Sequence, residues 1–187
     1  SQAEVDQVVG YISQMQSRHP QIDPQQIYVM GLSAGTGLTN CLLVKKPGLF
    51  AGGAPMSGPG CTSSGSPSPS AKILIWHTSS DYYSTDLPSV FSSYGQNSGG
   101  SKTISNQTLK SGAKSNSYDA YTVNGEARVG MVTLAGMGHG TACDPGTAED
   151  QGGCLPGSSF AFDWDLHSAY YTAKFWGILQ RDADPEV

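Results

Sequence analysis

At 187 residues the chain has the length of one domain with a sizeable core, and 1–187 reads as a single catalytic-type domain. Only 13% of its residues are charged, so polarity falls to its serines and its 24 glycines, a balance that points to an extracellular, secreted protein. A net charge of −5 gives no basic footprint for nucleic acid, and no apolar run approaches the length needed to span a membrane.

Taken in chain order, Ser1-Gln2-Ala3-Glu4 has capping-box spacing, and Val5, Val8, Val9, Ile12 and Met15 recur at helical period up to His19-Pro20. The chain opens directly on this helix, which fits the removal of a leader. After a turn at Asp23-Pro24, residues 26–31 read as a short strand that runs into Gly31-Leu32-Ser33-Ala34-Gly35. A helix follows with Leu38, Cys41, Leu42 and Val44 on its apolar positions and ends at Lys45-Lys46-Pro47. Residues 50–56, small and apolar, read as a buried strand, and 61–71 (CTSSGSPSPSA) as a loop. Ile73-Leu74-Ile75-Trp76 has the continuous apolar run of a central parallel strand. Residues 86–97 are expected to be a helix and 98–119 a polar, irregular segment. Residues 121–134 form a hairpin on Asn124-Gly125, whose second arm, 129–134, is the last core strand. From Asp163 onward, Leu166, Ala169, Tyr170, Ala173 and Trp176 mark a final amphipathic helix. Strands alternating with helices place the chain in the α/β class, with a parallel, doubly wound sheet.

Four cysteines allow three pairings. Cys143 and Cys154 share one Gly/Pro-rich loop, where a local disulfide is expected. Cys41 lies on an apolar helix face, and its bridge to Cys61 stays open against a buried thiol.

The chemistry centres on Ser33. A serine hydroxyl becomes a nucleophile only when it is exposed and held beside a base, and a G-x-S-x-G turn between strand and helix achieves the exposure. The base is sought among four histidines. His19 ends a helix, His167 falls in the final helix, and His77 ends a core strand without a flexible loop. His139, in Ala135-Gly136-Met137-Gly138-His139-Gly140, follows the last core strand, where this architecture places its base, and its flanking glycines leave the ring free to orient. Asp81 follows the 73–76 strand and is the triad acid over its rivals Asp86, a helix cap, and Asp119. The order Ser, Asp, His is that of the α/β-hydrolases. No metal or organic cofactor is implied, since Asp144, Glu149 and Asp150 lack EF-hand spacing.

These stretches, together with LFAGGAPMSGPGC, GMGHGTACDPG and HSAYYTAKFWGI, resemble the polyhydroxybutyrate depolymerase-type esterases, a group similar to the feruloyl and acetyl-xylan esterases. The resemblance implies an α/β-hydrolase with Ser33 as nucleophile, Asp81 as acid, His139 as general base and the Ala34 N–H as one oxyanion-hole donor. It implies hydrolysis of a polymeric or small ester, with a feruloyl- or acetyl-xylan-type substrate or a catalytically incomplete fragment as the alternatives. Relatives of this kind carry further strands and an oxyanion-hole loop ahead of the first helix here, so this chain corresponds to the C-terminal part of that fold. The strand at 26–31 is then expected to be an apolar sheet edge that pairs with a second copy or a second chain. The loop 61–71 and the segment 98–119 are the stretches expected to shape a substrate groove.

Overall fold

The computed structural model describes residues 1–154 and 158–179. Its elements run α1 (Gln2–Arg18), β1 (Tyr28–Leu32), α2 (Ala34–Lys45), β2 (Gly52–Met56), β3 (Lys72–Thr78), α3 (Leu87–Asn97), β4 (Ser101–Gln107), β5 (Asn116–Val123), β6 (Glu126–Leu134), β7 (Thr141–Cys143), β8 (Ala161–Asp163) and α4 (Ser168–Trp176). The main sheet has the order β1-β2-β3-β6-β5-β4. Its first four strands are parallel, and β5 and β4 join antiparallel through the Asn124-Gly125 hairpin.

The side-chain period of two sorts the core strands onto two faces. Ile73 and Ile75 pack with Val129 and Met131 against Val5 of α1, Leu42 and Leu43 of α2 and Phe91 of α3. Leu74 and Trp76 pack with Val132 and Leu134 on the opposite face, beneath Trp176 and Phe175 of α4. Because both faces are covered, the central strand reads as an uninterrupted apolar run. Two indoles fix α4 to the sheet: the Trp76 Nε1–H donates to Thr172 Oγ1 at 2.8 Å and the Trp176 Nε1–H to the Lys72 carbonyl at 3.0 Å. Helix α1 starts on a capping box in which Ser1 and Glu4 satisfy each other's end of the first turn.

Three stretches differ from the sequence reading. Residues 98–119 hold β4 and the start of β5 rather than an irregular segment. Strand β4 has nearly every side chain exposed, so it carries no apolar alternation, and it is held by backbone pairing and by the Lys102–Asp119 ion pair at 2.8 Å. The final helix begins at Ser168, not near Asp163. Residues 161–163 pair in parallel with β7, Asp165 takes a positive φ of 54°, and the buried Leu166 reflects core packing rather than helical period. His167 therefore sits at the N-cap position of α4 and not within it.

Both cysteine pairs are bridged, Cys41 to Cys61 and Cys143 to Cys154. The first ties α2 to the loop that follows β2. The second closes a short loop just after His139, a constraint worth roughly 3 kcal/mol against the unfolded chain. Cys143 itself is buried rather than in an exposed polar loop. Loop 61–71 runs away from Ser33 toward the far end of the sheet, where Asn97 holds the Pro67 carbonyl and Arg128 the Ser70 carbonyl. Strand β4 lies on the edge opposite β1.

Candidate active site

Strand β1 ends at Leu32 and α2 begins at Ala34, so Ser33 alone makes the turn, at φ 61° and ψ −121°. A non-glycine residue in that region stores strain of about 1–3 kcal/mol, held by the packing on either side. Gly31 permits the tight return: a Cβ there would stand 2.3 Å from the Gly35 carbonyl oxygen. The hydroxyl of the fully buried Thr36 lies against the carbonyls of Gly31 and Met56, which share its one hydrogen, and accepts the Met56 N–H, fastening the first turn of α2 to the ends of β1 and β2. Ala34 is the first residue of α2, so its N–H has no partner within the helix. The Ser33 N–H is already taken by the Met56 carbonyl at 3.1 Å.

The three sequence-derived side chains meet at the C-terminal end of the parallel strands. His139 Nε2 lies 2.8 Å from Ser33 Oγ, and His139 Nδ1 lies 2.8 Å from Asp81 Oδ2. Asp81 is 1% exposed and His139 23%, so the acid is enclosed and the base opens to the surface. The remaining carboxylate positions are filled as well. Asp81 Oδ1 accepts the Tyr83 N–H at 2.9 Å, and Oδ2 also faces the Thr78 hydroxyl at 3.2 Å. The loop bearing His139 is pinned rather than free: the Gly136 N–H donates to Ser79 Oγ, the Ser80 N–H to the Met137 carbonyl, and the Met137 side chain is buried. These bonds staple the turn after β6 to the turn after β3.

Ser57, just beyond β2, was not singled out by the sequence. It is fully buried at a positive φ of 43°, and its hydroxyl lies 2.6 Å from the Gly140 carbonyl and 2.9 Å from Thr78 Oγ1. It thus links the residue after His139 to the hydroxyl beside Asp81. The one available signal was its position at the C-terminal end of a buried strand, where functional groups of open α/β sheets gather.

The rivals are occupied elsewhere. His77 Nδ1 sits against the carbonyl and hydroxyl of Ser84, and burial holds its pKa below the ordinary histidine value. Asp86 stands at the N-cap position of α3 but makes no capping bond, and Asp119 is paired with Lys102. Asp144 and Asp150 clasp the Lys110 ammonium at 2.5 and 3.0 Å. Burial pulls that lysine's pKa down, but the hydrogen bonds and charges of the two carboxylates outweigh it and leave the value raised. A cavity of about 360 Å³ opens beside the exposed edge of β1, lined by Met30, Leu32, Met56, Ala142, His167 and Ser168. Ser33, Asp81 and His139 do not line it.

The fold agrees with a solved structure: acetyl xylan esterase from Aspergillus awamori superposes over 72% of this chain and 61% of that one, with a TM-score of 0.53 and 14% identity. This chain has the α/β-hydrolase fold. The prolyl oligopeptidase family matches residues 1–63 of the chain, the stretch that holds α1, the Ser33 turn and α2. A poly(3-hydroxyalkanoate) depolymerase C from Paucimonas lemoignei is 30% identical over 95% of the chain, in line with the resemblance read from the sequence. The chain spans about half the length of that curated relative.

Proposed function

We propose that the chain is a secreted serine esterase that cleaves carboxylic ester bonds of a polyester of the poly(3-hydroxyalkanoate) kind. The observation that carries this reading is the unbroken line Asp81–His139–Ser33 with 2.8 Å at both contacts. His139 Nε2 takes the Ser33 proton as Oγ bonds to the ester carbonyl carbon. The oxyanion gathers on the side of the Ala34 N–H, and Asp81 stabilises the imidazolium. The alcohol leaves with the proton from Nε2, and the acyl group stays on Ser33. Water then repeats the sequence: its proton passes to Nε2, its oxygen bonds to the acyl carbon, and Ser33 leaves with the proton. The polyester is favoured by the relative that matches along 95% of the chain and is named for depolymerising poly(3-hydroxyalkanoate). Secretion is favoured by two disulfides, which persist in oxidising compartments.

Among the described residues β1 pairs with β2 alone, and Met30 on it is 47% exposed. Its open edge adjoins the Ser33 turn, so a strand from a second copy or a second chain pairing there would end beside the oxyanion position.

The test is release of hydroxyacid from a poly(3-hydroxybutyrate) suspension. The chain is expected to clear it, and Ser33→Ala is expected to abolish clearing. Equal clearing by the Ser33→Ala variant would remove the assignment.

A further inference from the structure

Large aromatic side chains belong inside a protein that carries few charges, yet three of the most exposed ones surround His139. Tyr82 is 85% exposed, Tyr83 62% and Phe160 56%. The Tyr83 ring meets the His139 ring edge-on with centroids 5.3 Å apart, Phe160 meets it from another side at 6.0 Å, and Tyr82 meets Tyr83 at 5.7 Å. Interplanar angles of 64°, 89° and 80° leave ring faces turned outward rather than against one another. Each side of this rim is built on the backbone that holds the triad. The Tyr83 N–H is bound by Asp81 Oδ1, and the Phe160 carbonyl accepts the Thr141 N–H at 2.9 Å, two residues beyond His139.

The surroundings are as telling as the rings. The segments that meet at the nucleophile, 32–36, 57–60, 79–85, 135–142 and 158–162, hold no Lys, Arg or Glu, and their one aspartate is the buried Asp81. A mouth of this kind offers nothing to an anionic or cationic substrate and a desolvatable apolar surface to an uncharged one. Exposed aromatic rings present apolar surface whose burial is favourable, so a partner that covers them gains binding energy.

We infer that Tyr82, Tyr83 and Phe160 form an adsorption rim that seats the catalytic opening on the surface of a solid, uncharged aliphatic polyester. This inference rests on the esterase reading above for its choice of polymer. The rim covers an apolar, water-insoluble face and places the ester groups of that face beside Ser33. Adsorption needs no turnover, which lets the two readings be tested apart.

The experiment measures depletion of the 187-residue chain from solution by poly(3-hydroxybutyrate) particles, with every variant in a Ser33→Ala background. Circular dichroism melting verifies the fold of each. The parent is expected to adsorb. Tyr82→Ser combined with Phe160→Ser is expected to weaken adsorption by at least about tenfold, the scale of losing two well-covered aromatics. Tyr11→Ser, which removes a tyrosine on α1 as exposed as Phe160, is expected to leave adsorption unchanged. The inference is overturned if the parent does not adsorb, if the rim variant adsorbs like the parent, or if Tyr11→Ser weakens adsorption as much. It is also overturned if the rim variant loses binding to insoluble acetylated xylan and keeps binding to the polyester. Turnover is read separately with Ser33 intact: rim-dependent adsorption without hydrolysis sinks the catalytic reading alone, and hydrolysis without rim dependence sinks the rim alone.

Discussion

Gly31 and Gly35 hold matching places in the pentapeptide around Ser33 but not in space. A Cβ on Gly31 would collide with the Gly35 carbonyl at 2.3 Å, whereas one on Gly35 meets nothing within 4 Å. Gly31→Ala is therefore expected to destabilise the chain by about 1–3 kcal/mol, as overpacking against immovable backbone does. Gly35→Ala, inside α2, is expected to stabilise it by about 0.5 kcal/mol through the unfolded state. Urea unfolding of both variants checks the contrast, and equal effects would contradict it. The sequence motif treats the two glycines alike, because it records which residues surround the turn and not which of them the returning chain crosses. Ser33, Asp81 and His139 were legible because each follows a recognisable apolar strand. Ser57 was not, since its contact with Gly140 spans 83 positions of chain, nor were the exposed Tyr83 and Phe160, since exposure leaves no local pattern.

At the scale of elements, the site is a junction of strand ends. The turn after β2 contributes Ser57, β3 contributes Thr78 and then Asp81, and the turn after β6 contributes His139 and the Gly140 carbonyl. Removing the Ser57 hydroxyl leaves a buried carbonyl and a buried hydroxyl short of a partner, a loss of about 1–3 kcal/mol. If that junction positions the triad, Ser57→Ala is expected to lower kcat on a soluble ester by roughly 10-fold to 100-fold while KM changes little, the penalty of small misplacement. Steady-state kinetics with a p-nitrophenyl ester checks this. A variant that is merely less stable but keeps the parental kcat would show Ser57 to be structural only. The strands of this junction were readable where both faces are covered or where a hairpin turn announces them. Strand β4 was not, because an exposed polar ribbon held by backbone pairing has the composition of a loop. The start of α4 was misplaced for the converse reason: Leu166 is buried by tertiary packing and imitates helical period.

For the whole molecule, the parallel strands β2, β3 and β6, covered on both faces, make the platform, and the antiparallel β5–β4 ribbon extends it on the side away from β1. The other edge, β1, beside the Ser33 turn, has no further strand on it among the described residues. The central claim is that Ser33 is an activated nucleophile in the 187-residue chain. A fluorophosphonate probe tests it most directly, because only an activated serine reacts with it. The adduct, located by mass spectrometry, is expected on Ser33 alone, and labelling is expected to slow by about 10³-fold or more in His139→Ala. A folded chain that takes up no probe, or an adduct on another serine that persists in Ser33→Ala, would contradict the account.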